Sequence, residues 1–146
     1  MRKLLVSFVL LATTVPLRAD EKADAAKKLN GTYVVTEMLL EGKPDNSKKD
    51  NVTFVFKDGT VTITEGEKKK GEVAKYTIDP SKKPAQIDVM PEKGSKEVLG
   101  IYELKETDKG TELIVSFVHD GGERPKDFKG EGKDVVVVKM FRNKDK

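Results

Sequence analysis

Residues 51–64 read NVTFVFKDGTVTIT, and their pattern decides the fold. Val52, Phe54 and Phe56 recur at every second position, and Val61 and Ile63 do the same after a break. That is the two-residue period of strands with one face buried. The break is Asp58-Gly59, a pair that supplies the positive φ angles a tight two-residue hairpin needs.

Working outward, the same texture extends through the chain from Gly31. Short β-rich runs occupy 32–40, 51–57, 60–66, 71–79, 85–90, 97–104, 111–118 and 134–142, separated by turn chemistry. Lys109-Gly110 marks a further turn, and Pro80 to Pro84 forms a stiff connection between two runs. No run is followed by a helix long enough for a parallel crossover, so neighbours are expected to pair antiparallel. Eight sequential strands with short connections can close on themselves and so remove their exposed edges. The expectation is an all-β, eight-stranded antiparallel up-and-down barrel over residues 31–146, with a two-sheet sandwich as the structural alternative.

Before the strands, DEKADAAKKL at 20–29 is alanine- and charge-rich and leads to Asn30-Gly31, which predicts a short helical lead-in over 20–30 ending on glycine. Residues 1–19 have the order of a secretory signal peptide: Arg2 and Lys3, the apolar stretch Leu4 to Val15, then Pro16 and the small residue Ala19. Those 12 apolar residues fall well short of the roughly 20 needed to span a bilayer. Cleavage is expected between Ala19 and Asp20, with Ala23-Asp24-Ala25 offering a later site, and the mature protein is expected in the periplasm or outside the cell with no integral membrane insertion. With no cysteine in the chain, disulfides and attachment through a lipidated cysteine are excluded.

The leader carries three of the 28 cations and none of the 25 acids, so the mature chain balances 25 against 25. An interspersed, near-neutral surface does not form a field that collects nucleic acid or anionic membrane. The basic runs EKKKGEVAK and PSKKP lack an aromatic cluster and read as solvated surface.

HDGGERPKDF, residues 119–128, holds the one histidine of the chain and opens a loop of 15 residues that ends at Lys133. Such length between two strands is unusual for a hairpin connection, and long loops at barrel mouths commonly line a site. No catalytic residues are assigned: cysteine is absent, and Ser116 lies three positions before His119 on an extended strand, which turns the two to opposite faces. His119, Asp120 and Glu123 would reach a common metal only through a sharp turn at Gly121-Gly122, and no metal or other cofactor is assigned. Arg124 beside Pro125 has two readings, a fork of donors facing a ligand or a local pair with Asp120, Glu123 or Asp127.

Five motifs in order carry a family resemblance. They are Asn30-Gly31-Thr32-Tyr33 with Val34-Val35, Pro80-Ser81-Lys82-Lys83-Pro84 with Ile87-Asp88, Leu99-Gly100-Ile101-Tyr102-Glu103-Leu104, Gly122-Glu123-Arg124-Pro125 with Asp127-Phe128, and the closing Arg142. Together, over Leu29 to Arg142, they resemble an uncharacterised secreted domain family described mainly from planctomycete bacteria, whose fold is lipocalin-like. The resemblance implies a lipocalin-like barrel and names no activity, ligand or cofactor. Lipocalins usually begin the first strand with Gly-x-Trp and set an arginine against that Trp; here Tyr33 stands for the Trp and Arg142 is the arginine candidate, a pair expected to close the barrel base.

Function at this point divides three ways. The first expectation is an exported, non-enzymatic barrel binding a small, partly apolar molecule at its mouth, with Arg124, His119, Phe128 and Tyr102 as the candidate ligand contacts. The second is a packed, envelope-associated interaction module without a ligand, its protein partner unspecified. The third is a hydrolase of small substrates. Eight-stranded barrels lie at the margin between filled and hollow, so an apolar pocket separates the first two.

Overall fold

A computed structural model describes residues 19–46, 51–67, 70–92 and 94–144. Residues 1–18 of the expected signal peptide and Lys68 and Lys69 of the basic run lie outside the described residues. The chain runs α1 (Ala19–Leu29), β1 (Gly31–Leu40), β2 (Lys43–Pro44), β3 (Val52–Lys57), β4 (Thr60–Glu65), β5 (Glu72–Asp79), β6 (Ala85–Pro91), β7 (Val98–Glu106), β8 (Gly110–Val118) and β9 (Val135–Asn143). Neighbouring strands are all antiparallel in the order β2-β1-β3-β4-β5-β6-β7-β8-β9, and β1 also pairs with β9 from Val34↔Phe141 to Leu40↔Val136. That last ladder closes an eight-stranded barrel, with the two residues of β2 as a small addition on β1.

The hairpin at Asp58-Gly59 forms with φ angles of 48° and 82°, and its two strands register from Lys57↔Thr60 to Val52↔Glu65. A bulge between Val35 and Glu37 shifts the β1–β9 register by one residue, so Tyr33 and Val35 point inward before it and Met38 after it. The other strands alternate without interruption. Their inward residues, among them Phe56, Val61, Ile87, Leu113, Val138 and Met140, form one buried cluster with Tyr33 and Leu29.

One end of the barrel is shut. Leu29, the last residue of α1, is fully buried there, and Tyr33 and Tyr76 each meet Phe56 edge-on at 5.7 and 5.3 Å between ring centres. Arg142 closes this base: its guanidinium carbon lies 5.2 Å from the centre of the Tyr33 ring, its Nη1 donates to the Asn30 carbonyl, and its Nη2 donates to Thr111 Oγ1 at 3.0 Å. Gly31 makes this fit, because a Cβ there would lie 2.5 Å from Arg142 Cδ. Burial pushes the Tyr33 hydroxyl pKa up, and the Arg142 charge offsets only part of the rise.

The long loop does not cross the mouth. Its ends meet, with the His119 N–H donating to the Asp134 carbonyl at 3.0 Å, and between them it lies as a strap on the outer wall. Gly122 sits over Val118 and Gly130 over Val137. Beneath it, the outward residues Ile101, Ser116 and Val137 are 1%, 0% and 0% exposed, a second buried layer outside the barrel.

Candidate binding cavity at the open end

The open end holds a cavity of about 210 Å³. Its floor is Phe56, Val61, Ile87, Val115, Val138 and Met140, the upper surface of the buried cluster. Phe54, Ile63, Val89, Val98 and Phe117 form the walls, each at an inward position of its strand. Gly100 also faces in; a side chain there would run against Ile87 and the Ser116 carbonyl, so glycine keeps β6, β7 and β8 close behind the cavity.

Among the described residues, two ionisable side chains reach the cavity, both near its opening. Glu72 opens β5 opposite Ile63, and His119 follows β8 with its ring 5.5 Å from that of Phe117, edge to face. Polar groups therefore stand at the rim and apolar ones line the depth. Such a space accepts an apolar group inward and holds a polar one at the surface, since a polar atom buried without a partner costs about 1–3 kcal/mol.

The four candidate ligand contacts are not brought together. His119 is the one that lines this cavity. Arg124 lies on the outer wall, where Nη1 is 2.6 Å from Asp88 Oδ1 and 2.7 Å from the Gly100 carbonyl. Its acidic partner among the described side chains is thus Asp88 on β6 rather than Glu123 or Asp127, the Asp120 side chain lying outside the described ones, and the pair ties the strap to the barrel. Phe128 and Tyr102 meet instead at a groove of about 710 Å³ near the shut end, beside α1. Burial raises the pKa of Tyr102 as well, with the Tyr76 and Asp79 neighbours adding to the rise.

Ser116 and His119 do lie on opposite sides of the wall: the serine is sealed under the strap, and its hydroxyl has no hydrogen-bond partner among the described residues. No group of three His, Asp or Glu side chains among the described residues is placed to hold a metal ion. No described helix is long and apolar enough to cross a membrane.

Glu72, Phe54, Val98 and Phe117 were not singled out from the sequence as cavity residues. A usable signal existed for Glu72, because in EVAKYTI the inward positions Ala74, Tyr76 and Ile78 place a carboxylate on the core face, which a strand tolerates only at an open end.

The fold and cavity define a β-barrel with one closed end and one small apolar chamber. No family model, curated protein or solved structure matches the chain.

Proposed function

We propose that this protein is an exported, non-enzymatic barrel of the lipocalin-like kind its motifs resemble, which holds one small, partly apolar molecule in the cavity at its open end. The observation that carries the reading is the chamber itself: about 210 Å³, apolar in depth, with Glu72 and His119 at the rim.

Size restricts the ligand. A buried apolar cavity of about 150 Å³ takes up benzene, and most drug-sized ligands need roughly 300–1,000 Å³. The chamber therefore suits a single ring or a chain of roughly six to eight carbons, entering apolar end first. Glu72 and His119 then offer hydrogen-bonding groups to the end that stays outside.

Native mass spectrometry of the protein purified from its own host tests this. A retained small molecule is expected on the wild-type chain and is expected to be lost in Ala74→Leu, which adds bulk to the cavity from a residue that is 7% exposed. Circular dichroism of the same variant verifies that it has folded. If wild type carries no adduct and takes up none of a panel of six- to eight-carbon alcohols, the reading is wrong.

A further inference from the structure

We propose that the shut end of the barrel encloses a water molecule held jointly by the hydroxyls of Tyr33 and Tyr76. Both residues belong to the buried core, at 0% and 5% exposure. Neither hydroxyl oxygen reaches solvent, and neither has a hydrogen-bond partner among the described residues. A buried tyrosine hydroxyl normally finds a partner, because the water it leaves on folding must be replaced. A phenylalanine fills an apolar layer without that cost, and Phe56 does so beside both tyrosines.

The two phenols enter one layer from different parts of the wall. Tyr33 is on β1 and Tyr76 on β5, three strands further round in the order β1-β3-β4-β5. The interior of an eight-stranded barrel is narrow enough for side chains from such positions to meet. Both rings stand edge-on to the same Phe56 ring, at 5.7 and 5.3 Å between centres. A charge on Tyr76 acts on Tyr33 and adds to the rise in its pKa. The Gly59 amide is the third polar group: it approaches the Tyr76 hydroxyl and opposes the rise in pKa from burial, without completing a hydrogen bond. Two hydroxyls and one N–H match the roughly three hydrogen bonds that a buried water makes.

The surroundings favour a neutral guest. Arg142 acts on Tyr33 and Asp58 acts on Tyr76 with opposite signs, so neither an anion nor a cation is drawn to the pair. Ser116 supplies the contrast. Its hydroxyl is equally buried and unpartnered, but it lies in a row with Ile101 and Val137 under the strap, with no second unpartnered hydroxyl beside it among the described residues. A water needs more than one polar partner, so none is assigned there. The tyrosine site lies below the chamber floor that Phe56 helps to form, and its test does not depend on the small-molecule reading.

A high-resolution crystal structure of the protein, with water–protein nuclear Overhauser effects in solution, tests the proposal. The expected result is one isolated density peak about 2.6–3.2 Å from both hydroxyl oxygens, and water contacts to the ring protons of Tyr33 and Tyr76. Tyr33→Phe and Tyr76→Phe should each lower the folding equilibrium constant about fivefold or more in urea unfolding. The double variant should lose clearly less than the product of the two, because one water serves both. Ser116→Ala, with no water to lose, should leave the urea midpoint unchanged or raise it. A dry layer, a direct bond between the two hydroxyls, phenylalanine variants as stable as the wild type, or single effects that multiply in full would overturn the proposal. So would a density peak that strengthens when bromide replaces chloride, which would assign the site to an anion.

Discussion

Arg142→Ala removes the group that holds the shut end of the barrel together. The guanidinium gives one hydrogen bond to the Asn30 carbonyl, a second to Thr111 Oγ1 at 3.0 Å, and a face contact to Tyr33 at 5.2 Å. A hydrogen bond from a charged donor contributes about 1.5–3 kcal/mol, and a cation over a ring about 0.5–2 kcal/mol. Contacts of one side chain do not add fully, and Arg142 is only partly buried, so the expected loss is about 2–4 kcal/mol. In a domain of this size each kcal/mol lowers the thermal midpoint by roughly 3–5 °C, which makes the expected drop about 10 °C. Urea unfolding supplies the free energy and differential scanning calorimetry the midpoint. Arg142→Lys keeps the charge without the planar fork and should recover less than half of the loss. A double-mutant cycle with Tyr33→Leu should show coupling of about 0.5–2 kcal/mol. A loss below about 0.5 kcal/mol for Arg142→Ala would refute the clasp, because breaking even one charged hydrogen bond costs more.

Three further outcomes follow from other parts of the fold. Gly59→Val should destabilise by more than about 1 kcal/mol in urea unfolding, because φ at that position is 82° and a β-branched residue resists it even though the nearest atom to its Cβ, the Tyr76 carbonyl oxygen, is 4.0 Å away. Arg124→Ala should cost about 1.5–3 kcal/mol through the lost Asp88 and Gly100 contacts and speed amide exchange in the wall under the strap, while retention of a small molecule stays unchanged; loss of the ligand with stability intact would return Arg124 to the binding site. Tyr33, Tyr76 and Tyr102, which are all the tyrosines of the chain, have pKa values raised above the ordinary 10.0, in each case chiefly by burial. A raised folded-state value means that the fold favours the protonated hydroxyl: stability is fully present below the unfolded pKa and is lost as pH rises through the folded one. Tyrosinate absorbance should therefore appear together with alkaline unfolding, and a reversible early titration of any of the three in the folded protein would contradict this burial.

Much of the barrel was legible because its signals are local. Short β-rich runs bounded by turn residues mark all eight barrel strands to within a residue or two at each end, and Asp58-Gly59 carries its turn geometry in two residues. The short helix ends at Leu29, where the change of composition places it. β2 was not legible, since Lys43–Pro44 has neither alternation nor apolar character and pairs only because the turn at Glu41-Gly42 returns it to β1. The path of the strap depends on tertiary contacts between residues far apart in sequence, Arg124 with Asp88 above all, and no local rule selects the outer wall over the mouth. One clue was present: Val135 to Val138 is an unbroken apolar run, and a strand apolar on both faces is covered on both. The candidate site suffered from the same confusion of loop with mouth, so His119 reached the cavity while Arg124, Phe128 and Tyr102 did not.

The central claim is that the chamber above Phe56 and Met140 takes an apolar guest, and methyl-resolved NMR with toluene as the probe tests it most directly. Toluene is close to the benzene-sized guest that an apolar cavity of this order admits, and a dissociation constant of about 1 mM or below corresponds to about 4 kcal/mol. The account predicts saturable shifts at the methyl groups of Val61, Ile87, Val115, Val138 and Met140, with none at Val137 or Ile101 on the outer wall and none in Ala74→Leu. Unchanged interior methyls at toluene saturation, or shifts confined to the outer wall, would contradict it.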